Sequence, residues 1–329
     1  MKIINRINQI IKIAVKSNHV LLLLKNPKFE NERISAELVR NVHSIEKGLS
    51  LRNIRPCFGY TKIMEASEFA NRLIDFDNKN YDESILMFIH ALKAYLEYHN
   101  EINYIDNKLT IIQRAYEILL EKVKPTFDDN ILGGCLLLSA KKYSESDFTA
   151  LKQLIYDRHS VRQFSKEPVD LYDLFAAIEC AGHCPSACNR QGFRVHVVCK
   201  DKMDVFNDWF EGVGGFADEI DKMLLITRKI STYRAGEEFQ YIVSSAVFAG
   251  YLTLTLQAKN IGCCFIQRPV LPDKRWKKVS TELGIPADEQ IICALGVGNY
   301  LPEYKVPVSH RFCVDKIVTV HGHELSSKG

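Results

Sequence analysis

The 329-residue sequence lacks an excess of charge of either sign: 43 Lys and Arg stand against 40 Asp and Glu, a net charge of +3. Dedicated nucleic-acid binders carry a strong basic excess, so this balance makes no electrostatic case for one. No Cys-x-x-Cys pair occurs among the ten cysteines, which leaves zinc ribbons and thioredoxin-type sites without their signature. No uninterrupted apolar run approaches the ~20 residues that a membrane span requires; Val20–Leu24 and Cys135–Ala140 are the longest candidates. Internal repeats and low-complexity tracts are absent as well. What remains is 47 % hydrophobic and 25 % charged, an ordinary soluble composition that is neither disordered nor collagenous nor purely coiled-coil. The length allows about two domains, with cores large enough to fold without disulfide or metal staples. Reduced thiols in a cytoplasmic protein are the simplest reading of the cysteines.

Residues 1–25 hold Lys2, Arg6, Lys12, Lys16 and Lys25 and no acid, while Ile3, Ile7, Ile10, Ile11, Ala14 and Val15 form one helical stripe. Such helices lie on anionic membranes when Trp or Phe anchors them. Without those anchors the stripe reads better as docking on the body or on a second subunit. Lysines interrupting the apolar region argue against a signal peptide.

Up to residue 145 the pattern is helical throughout. Ile34, Leu38, Val42, Ile45 and Leu49 keep helical spacing, with Gly48 expected at the helix end. Further helices are predicted over Ile63–Phe76, Glu83–His99 and Ile105–Lys122, separated by polar, turn-rich connections at Asp77–Asp82 and Pro125–Asn130. From residue 146 the character changes. A helix over Ser146–Tyr156 and another capped by Asp170 precede strands at Phe193–Cys199 and Met223–Thr227. The apolar helix Phe239–Lys259, rich in small residues, is predicted to be buried, and strands follow at Cys263–Ile266 and Ile291–Val297. Helices and strands that do not strictly alternate indicate an α+β fold. The chain thus divides into a helical region, 1–145, and a mixed domain, 146–329.

Two segments of the second half carry chemistry. In Arg158-His159-Ser160-Val161-Arg162, an extended backbone points Arg158, Ser160 and Arg162 the same way, a donor set suited to a phosphate. About 25 residues on, Cys184-Pro185-Ser186-Ala187-Cys188-Asn189-Arg190-Gln191 joins a helix to a strand. Its Ser, Asn and Gln are polar readers for the carbonyls and ring nitrogens of a heterocycle. Read singly, the first is equally a pair of surface arginines and the second a polar loop.

Taken together, Arg-His-Ser-Val-Arg, a helix, and Pro-Ser-Ala-x-Asn-x-Gln before a strand resemble the nitroreductase family of flavin enzymes. The likeness continues through Tyr241–Lys259, through Asn260-Ile261-Gly262-Cys263-Cys264-Phe265-Ile266, and through Ile291–Asn299 with Gly296 and Gly298, to Pro307 and Arg311. It spans roughly 147–320. It implies a nitroreductase-like fold, a mainly antiparallel sheet flanked by helices, built around FMN. By the resemblance, Arg158, Ser160 and Arg162 contact the ribityl phosphate and the pyrimidine side of FMN. Ser309 and Arg311 also reach the phosphate. Ser186, Asn189 and Gln191 line the isoalloxazine ring, and Gln267 falls near its N5 side. It further implies a homodimer with the flavin at the subunit interface, and ping-pong electron transfer from NAD(P)H through FMN to a small-molecule acceptor. No acid–base residue is required, because the chemistry is flavin-borne. The sequence departs from the family at Gly192-Phe193, where Pro and an aromatic are usual, and at Arg268-Pro269.

Other readings stay open. His43-Ser44-Ile45-Glu46-Lys47-Gly48-Leu49 is similar to strings preceding nitroreductase-like domains encoded among polysaccharide-biosynthesis genes. That points to an FMN enzyme acting on a specific biosynthetic substrate without NAD(P)H. A non-catalytic binding or assembly protein retaining the fold is the alternative of a different class. Cys180, Cys184 and Cys188 recur every fourth residue, but Pro185 breaks the helix that would align them as metal ligands. They read as small core hydrophobes, with Cys188 also conceivable as a nucleophile beside the flavin. His321-Gly322-His323 lacks the further ligands a metal site needs.

Overall fold

The computed structural model describes residues 26–77, 82–124, 132–206, 213, 215–237, 239–266 and 274–322. The basic stripe before residue 26, Gln267 with Arg268-Pro269, most of the two predicted connections, and His323 lie outside the described residues.

The first half forms four helices: α1 (Glu30–Leu49), α2 (Tyr60–Phe76), α3 (Glu83–Glu101) and α4 (Asn107–Val123). The side chains of Asp82 and Asp106 cap α3 and α4, accepting from the amides of Ser84 and Lys108, which is why short acids precede both helices. The predicted stripe Ile34, Leu38, Val42 and Ile45 is buried against Ile63, Ala66 and Ala70 of α2 and Phe88, Leu92 and Tyr95 of α3. This core contains no residue of the sheet that follows.

Gly48 is not a C-cap. It lies inside α1, and a Cβ there would stand 1.9 Å from the Phe58 ring. Phe58 packs on Tyr95 with ring centroids 5.1 Å apart, and its carbonyl accepts from the Tyr95 hydroxyl at 2.9 Å. The absence of a side chain at Gly48 therefore lets the loop after α1 close on α3.

The second half begins with α5 (Glu145–Asp157) and α6 (Leu171–Gly182). A capping box between Ser144 and Asp147 starts α5, and Asp170 caps α6 by accepting from the Tyr172 and Asp173 amides, as predicted. Strands β1 (Phe193–Cys199), β2 (Lys222–Lys229), β3 (Ile261–Ile266) and β4 (Glu289–Asn299) form a sheet of order β1-β2-β4-β3. All its pairings are antiparallel. Residues alternate between its faces: Met223 and Leu225 join the core under Phe164, Phe216 and Trp276. Leu224 and Ile226 join the core under α6 and α7 (Gln240–Ala258). A register shift opposite Ile226/Thr227 inserts one residue into β4, so neighbours Ile292 and Cys293 both face the α7 side. Trp276 and Val279 belong to α8 (Lys274–Glu282). The fold is α+β, preceded by an all-helical region.

By length and composition α7 would cross a membrane, although no uninterrupted run signals it. Eight of its residues, among them Phe248, Leu252 and Leu256, are buried in the fold, so its apolar character belongs to a core helix.

One carboxylate ties three strands together. An oxygen of Glu289 on β4 lies 2.8 Å from Nε2 of His196 on β1 and 2.5 Å from the hydroxyl of Thr227 on β2. Burial works against the charged form, but His196 and Thr227 outweigh it and hold the carboxyl below its ordinary value.

Two outcomes follow from this packing. Gly48→Ala should lower the thermal denaturation midpoint, costing about 1–3 kcal/mol through overpacking. Helix propensity alone predicts a gain of about 1 kcal/mol, so the sign decides, and Phe58→Ala in the same chain should erase the loss. Because folding depresses the Glu289 pKa, its contribution is complete above the ordinary 4.5 and is lost as pH falls through the folded value. The stability advantage of the wild type over Glu289→Gln, read by thermal denaturation, should therefore shrink as the pH falls below the ordinary 4.5.

Candidate functional site

The Arg158–Phe164 segment leaves α5 in an extended conformation and runs along β3, the outer strand of the sheet. Ser160 forms a parallel bridge with Cys263, and the Val161 amide donates to the Cys263 carbonyl at 3.0 Å. Further on, Phe164 bridges Tyr300, its amide donates to Glu219 at 3.0 Å, and the Ser165 amide donates to Asn299 at 2.9 Å. The exposed edge is thereby covered. Val161 and Phe164 are buried, Arg158, His159 and Ser160 are half-buried, and Arg162 and Gln163 are exposed, so burial along the segment does not follow a strict period of two.

Among the described residues, no carboxylate forms an ion pair with Arg158, Arg162 or Arg311. The Arg162 guanidinium donates only to the Ser160 carbonyl, at 3.3 Å, and lies 5.9 Å over the Phe216 ring. The charge of Arg158 is felt by Cys263, which burial pushes up to about 12 while Arg158 opposes the shift. Burial likewise pushes Cys293 up to about 12 and raises Cys264 and Cys184. These four buried thiols are neutral at physiological pH and so are poor nucleophiles. Of the ten cysteines only these four are buried; Cys180, Cys135 and Cys313 are exposed and the others half-buried. The expectation that the cysteines are mostly core residues, the whole Cys180–Cys188 ladder included, is corrected accordingly. Among the described residues no group of three His, Cys, Asp or Glu side chains is placed to hold a metal ion.

The second segment folds into a tight loop after α6. Cys188, Asn189 and Gln191 have φ of +53°, +53° and +48°, a left-handed conformation that costs non-glycine residues of order 1 kcal/mol each. Hydrogen bonds hold it: Ser186 Oγ accepts from the Gln191 amide and Ser244 Oγ from the Ala187 amide, both at 3.1 Å. The principal anchor is Arg190, a residue that its sequence position between two polar readers does not single out. Its side chain is 1 % exposed and reaches Glu237 at 2.6 Å, the Ala187 and Thr232 carbonyls at 3.2 Å, and the face of Tyr233 at 4.5 Å. Ser186, Asn189 and Gln191 are thus grouped on one rigid loop, half-buried or exposed.

Gly192, the departure from the family pattern, has a steric cause. A Cβ there would meet the Thr232 hydroxyl at 2.6 Å and the Tyr233 ring at 2.7 Å. Its carbonyl accepts from the Lys229 amide at 2.7 Å, and Phe193 stacks on Phe248 with centroids 4.2 Å apart.

Ser309 and Arg311 lie on an exposed C-terminal segment. It meets the first motif only at its start, where the Lys305 amide donates to Gln163 at 2.8 Å. Ser309 has φ of +45° and its carbonyl accepts from Arg311. Among the described residues the Lys305–Gln163 hydrogen bond joins the start of the C-terminal segment to the Arg158 segment, and no hydrogen bond or ion pair joins the Ser186 loop to either.

Residues 155–299 match the model of the Nitroreductase family. Among solved structures, a nitroreductase family protein of Streptococcus pneumoniae TIGR4 is 20 % identical, with a TM-score of 0.43 over 53 % of this chain and 100 % of its own. A Desulfovibrio desulfuricans protein, described as a nitroreductase in complex with FMN, is 16 % identical, with a TM-score of 0.44 over 53 % of this chain and 98 % of its own. A nitroreductase-like protein of Bacillus cereus is 13 % identical, with a TM-score of 0.45 over 56 % of this chain and all of its own. No curated protein matches the chain. The chain carries, over residues 155–299, a domain of the nitroreductase family, and the helices α1–α4 precede it.

Proposed function

We propose that this protein is an FMN-dependent oxidoreductase that draws electrons from NAD(P)H, with a helical region over 1–145 and a flavin domain over 146–329. The observation that carries the reading is the set of donors beside β3: two arginines and a hydroxyl on one extended segment, with no carboxylate paired to either arginine among the described residues. An arginine left unpaired beside a covered sheet edge is suited to an external anion, and a phosphate takes forked guanidinium donors with geometric precision. Arg158, Ser160 and Arg162 would hold the FMN phosphate and the pyrimidine edge, and Ser186, Asn189 and Gln191 would hydrogen-bond the ring, with Gln267, Ser309 and Arg311 completing the set. Bound FMN supplies the hydride and electron chemistry, in ping-pong order between NAD(P)H and a small-molecule acceptor. The residues of the chain bind, orient and tune; a cation near the pyrimidine edge favours the reduced, anionic ring.

The same reading calls for a second copy of the chain. Among the described residues no hydrogen bond or ion pair ties the Ser186 loop to the Arg158 segment, and the C-terminal segment meets that segment at Lys305 and Gln163; a second copy would complete the site. Unpartnered apolar surface supports this: Phe148, Leu151 and Ile155 form a stripe on α5, which has no buried residue. Val308, Phe312 and Ile317 are exposed on the C-terminal segment. Surface of this kind marks an interface.

Purified protein should take up FMN and turn yellow, and NADH or NADPH should bleach it under anaerobic conditions. An Arg158→Ala, Arg162→Ala double variant should lose at least about 100-fold in FMN affinity, since each hydrogen bond to a charged group contributes about 1.5–3 kcal/mol. A wild-type protein that stays colourless with added FMN would refute the reading. Light scattering should give twice the chain mass, and a monomer at micromolar concentration would remove the shared site.

A further inference from the structure

We infer that the helical region acts as a clamp on the candidate cofactor loop, and that Glu37 of α1 is a positioning residue for Ser186, Asn189 and Gln191. The inference rests on the flavin reading for what the loop binds, but not for the clamp itself.

The connection runs through four charged side chains. Glu37 receives both Nε and Nη2 of Arg234, one guanidinium nitrogen on each carboxylate oxygen, the forked geometry that fixes direction as well as distance. The backbone amide of Arg234 donates to Glu237 Oε2 at 2.9 Å. The same oxygen receives Arg190 Nη1 at 2.6 Å. Arg190 is the buried anchor of the loop, flanked by two residues in the left-handed region, Asn189 and Gln191. Pulling on Glu37 therefore moves Arg234, the carboxylate that its backbone holds, and the guanidinium that keeps the loop in its unfavourable conformation.

Three further observations agree. Lys229 pairs with Glu32, also on α1, at 3.7 Å, so the helix holds the Lys229–Glu237 segment at both ends. Gly192 makes room for Thr232 and Tyr233 of that segment, so the loop departs from the usual family residue where the clamp needs close approach. The charges also reinforce one another. The Glu37 hydrogen bond, outweighing burial, raises the Arg234 pKa. Burial of Glu237 is outweighed by the Arg190 bond, the Arg234 amide and both arginine charges, which lower its pKa. Arg234 and Glu237 are thus both held in their charged forms, and neither is a spare surface ion. The match to the family model begins at residue 155, so the half of the clamp that α1 supplies lies outside the family domain.

The test is hydrogen exchange of the full-length protein, followed at the amides of residues 187–191, with FMN affinity measured in parallel. In Glu37→Gln, which keeps the side-chain shape and removes the charge, those amides should exchange faster and the FMN dissociation constant should rise about tenfold. Glu46→Gln removes an α1 carboxylate whose ionic partner is His43, away from the relay, and should leave both readings unchanged. Combining Glu37→Gln with Glu237→Gln should add little to either single variant, because both break one chain of contacts. Unchanged exchange in Glu37→Gln, equal acceleration in Glu46→Gln, or full additivity of Glu37→Gln and Glu237→Gln would each overturn the clamp. A wild type that takes up no FMN would refute the flavin reading, while exchange at residues 187–191 still decides the clamp.

Discussion

The interior guanidinium of Arg190 is the constraint around which the mixed domain and the helical region are fitted together. A cation with 1 % of its side chain exposed has lost its hydration, and that loss is of several kcal/mol unless carboxylate and carbonyl oxygens replace the water. Here Glu237, two backbone carbonyls and the face of Tyr233 do so. Meeting that requirement fixes three things at once. The loop before β1 must curl so that Ala187 presents its carbonyl, the segment after β2 must turn back so that Thr232 and Glu237 arrive, and Gly192 must carry no side chain between them. Once the segment after β2 is placed there, Lys229 and Arg234 project toward α1, where Glu32 and Glu37 receive them.

The arginines of the domain divide by the same physics. Arg190 is buried and paired. Arg228, 4 % exposed, rests 3.3 Å from the centre of the Tyr241 ring and donates to Gln290, and burial lowers its pKa to about 10. Arg158, Arg162 and Arg311 are less buried and have no ion pair among the described residues. Arg190 is structural, because burying it without its carboxylate would be too costly, whereas Nε and Nη1 of Arg228 have no hydrogen-bond partner among the described residues. Exposed cations remain hydrated and are free to accept an external anion at little cost in folding. This explains how a chain with a net charge of only +3 keeps local positive charge along the β3 edge.

Much of the fold was legible in the residues. The Ile34–Ile45 stripe, the cap at Asp170 and the β-branched runs of the strands are local signals, and each became the element it announced. The extended segment after α5 was legible too, and its pairing with Cys263 places Ser160 beside β3. What could not be read was set by partners distant in sequence. Gly48 has the appearance of a helix stop, yet its reason is the Phe58 ring ten positions on. Arg190 stood within the loop that was singled out, but its role depends on Glu237, and that of Arg234 on Glu37, 197 positions away. Cysteine burial failed for the same reason: a four-residue repeat says which positions share a helix face, whereas Pro185 and the left-handed Cys188 put the ladder on an irregular path.

The helical region thus reaches the site in a way that its own composition does not disclose. Its core is complete without the sheet, so α1 does not need the mixed domain to bury its apolar stripe. α1 also packs along Ile230–Thr232 and Ala187–Asn189, and its charged pairs to the mixed domain are at Glu32 and Glu37. Apolar docking is tolerant of small shifts because the attraction scales with area and has no direction. A forked arginine–carboxylate pair is directional and fails when its geometry is lost. A region attached through such pairs adds less to the bulk stability of the domain than it adds to the placement of one segment. That segment holds Glu237, and through Arg190 the loop carrying Ser186, Asn189 and Gln191. The strain stored in three left-handed residues is therefore offset by a helix outside the family domain, and the conformation of the loop becomes a property of the whole chain.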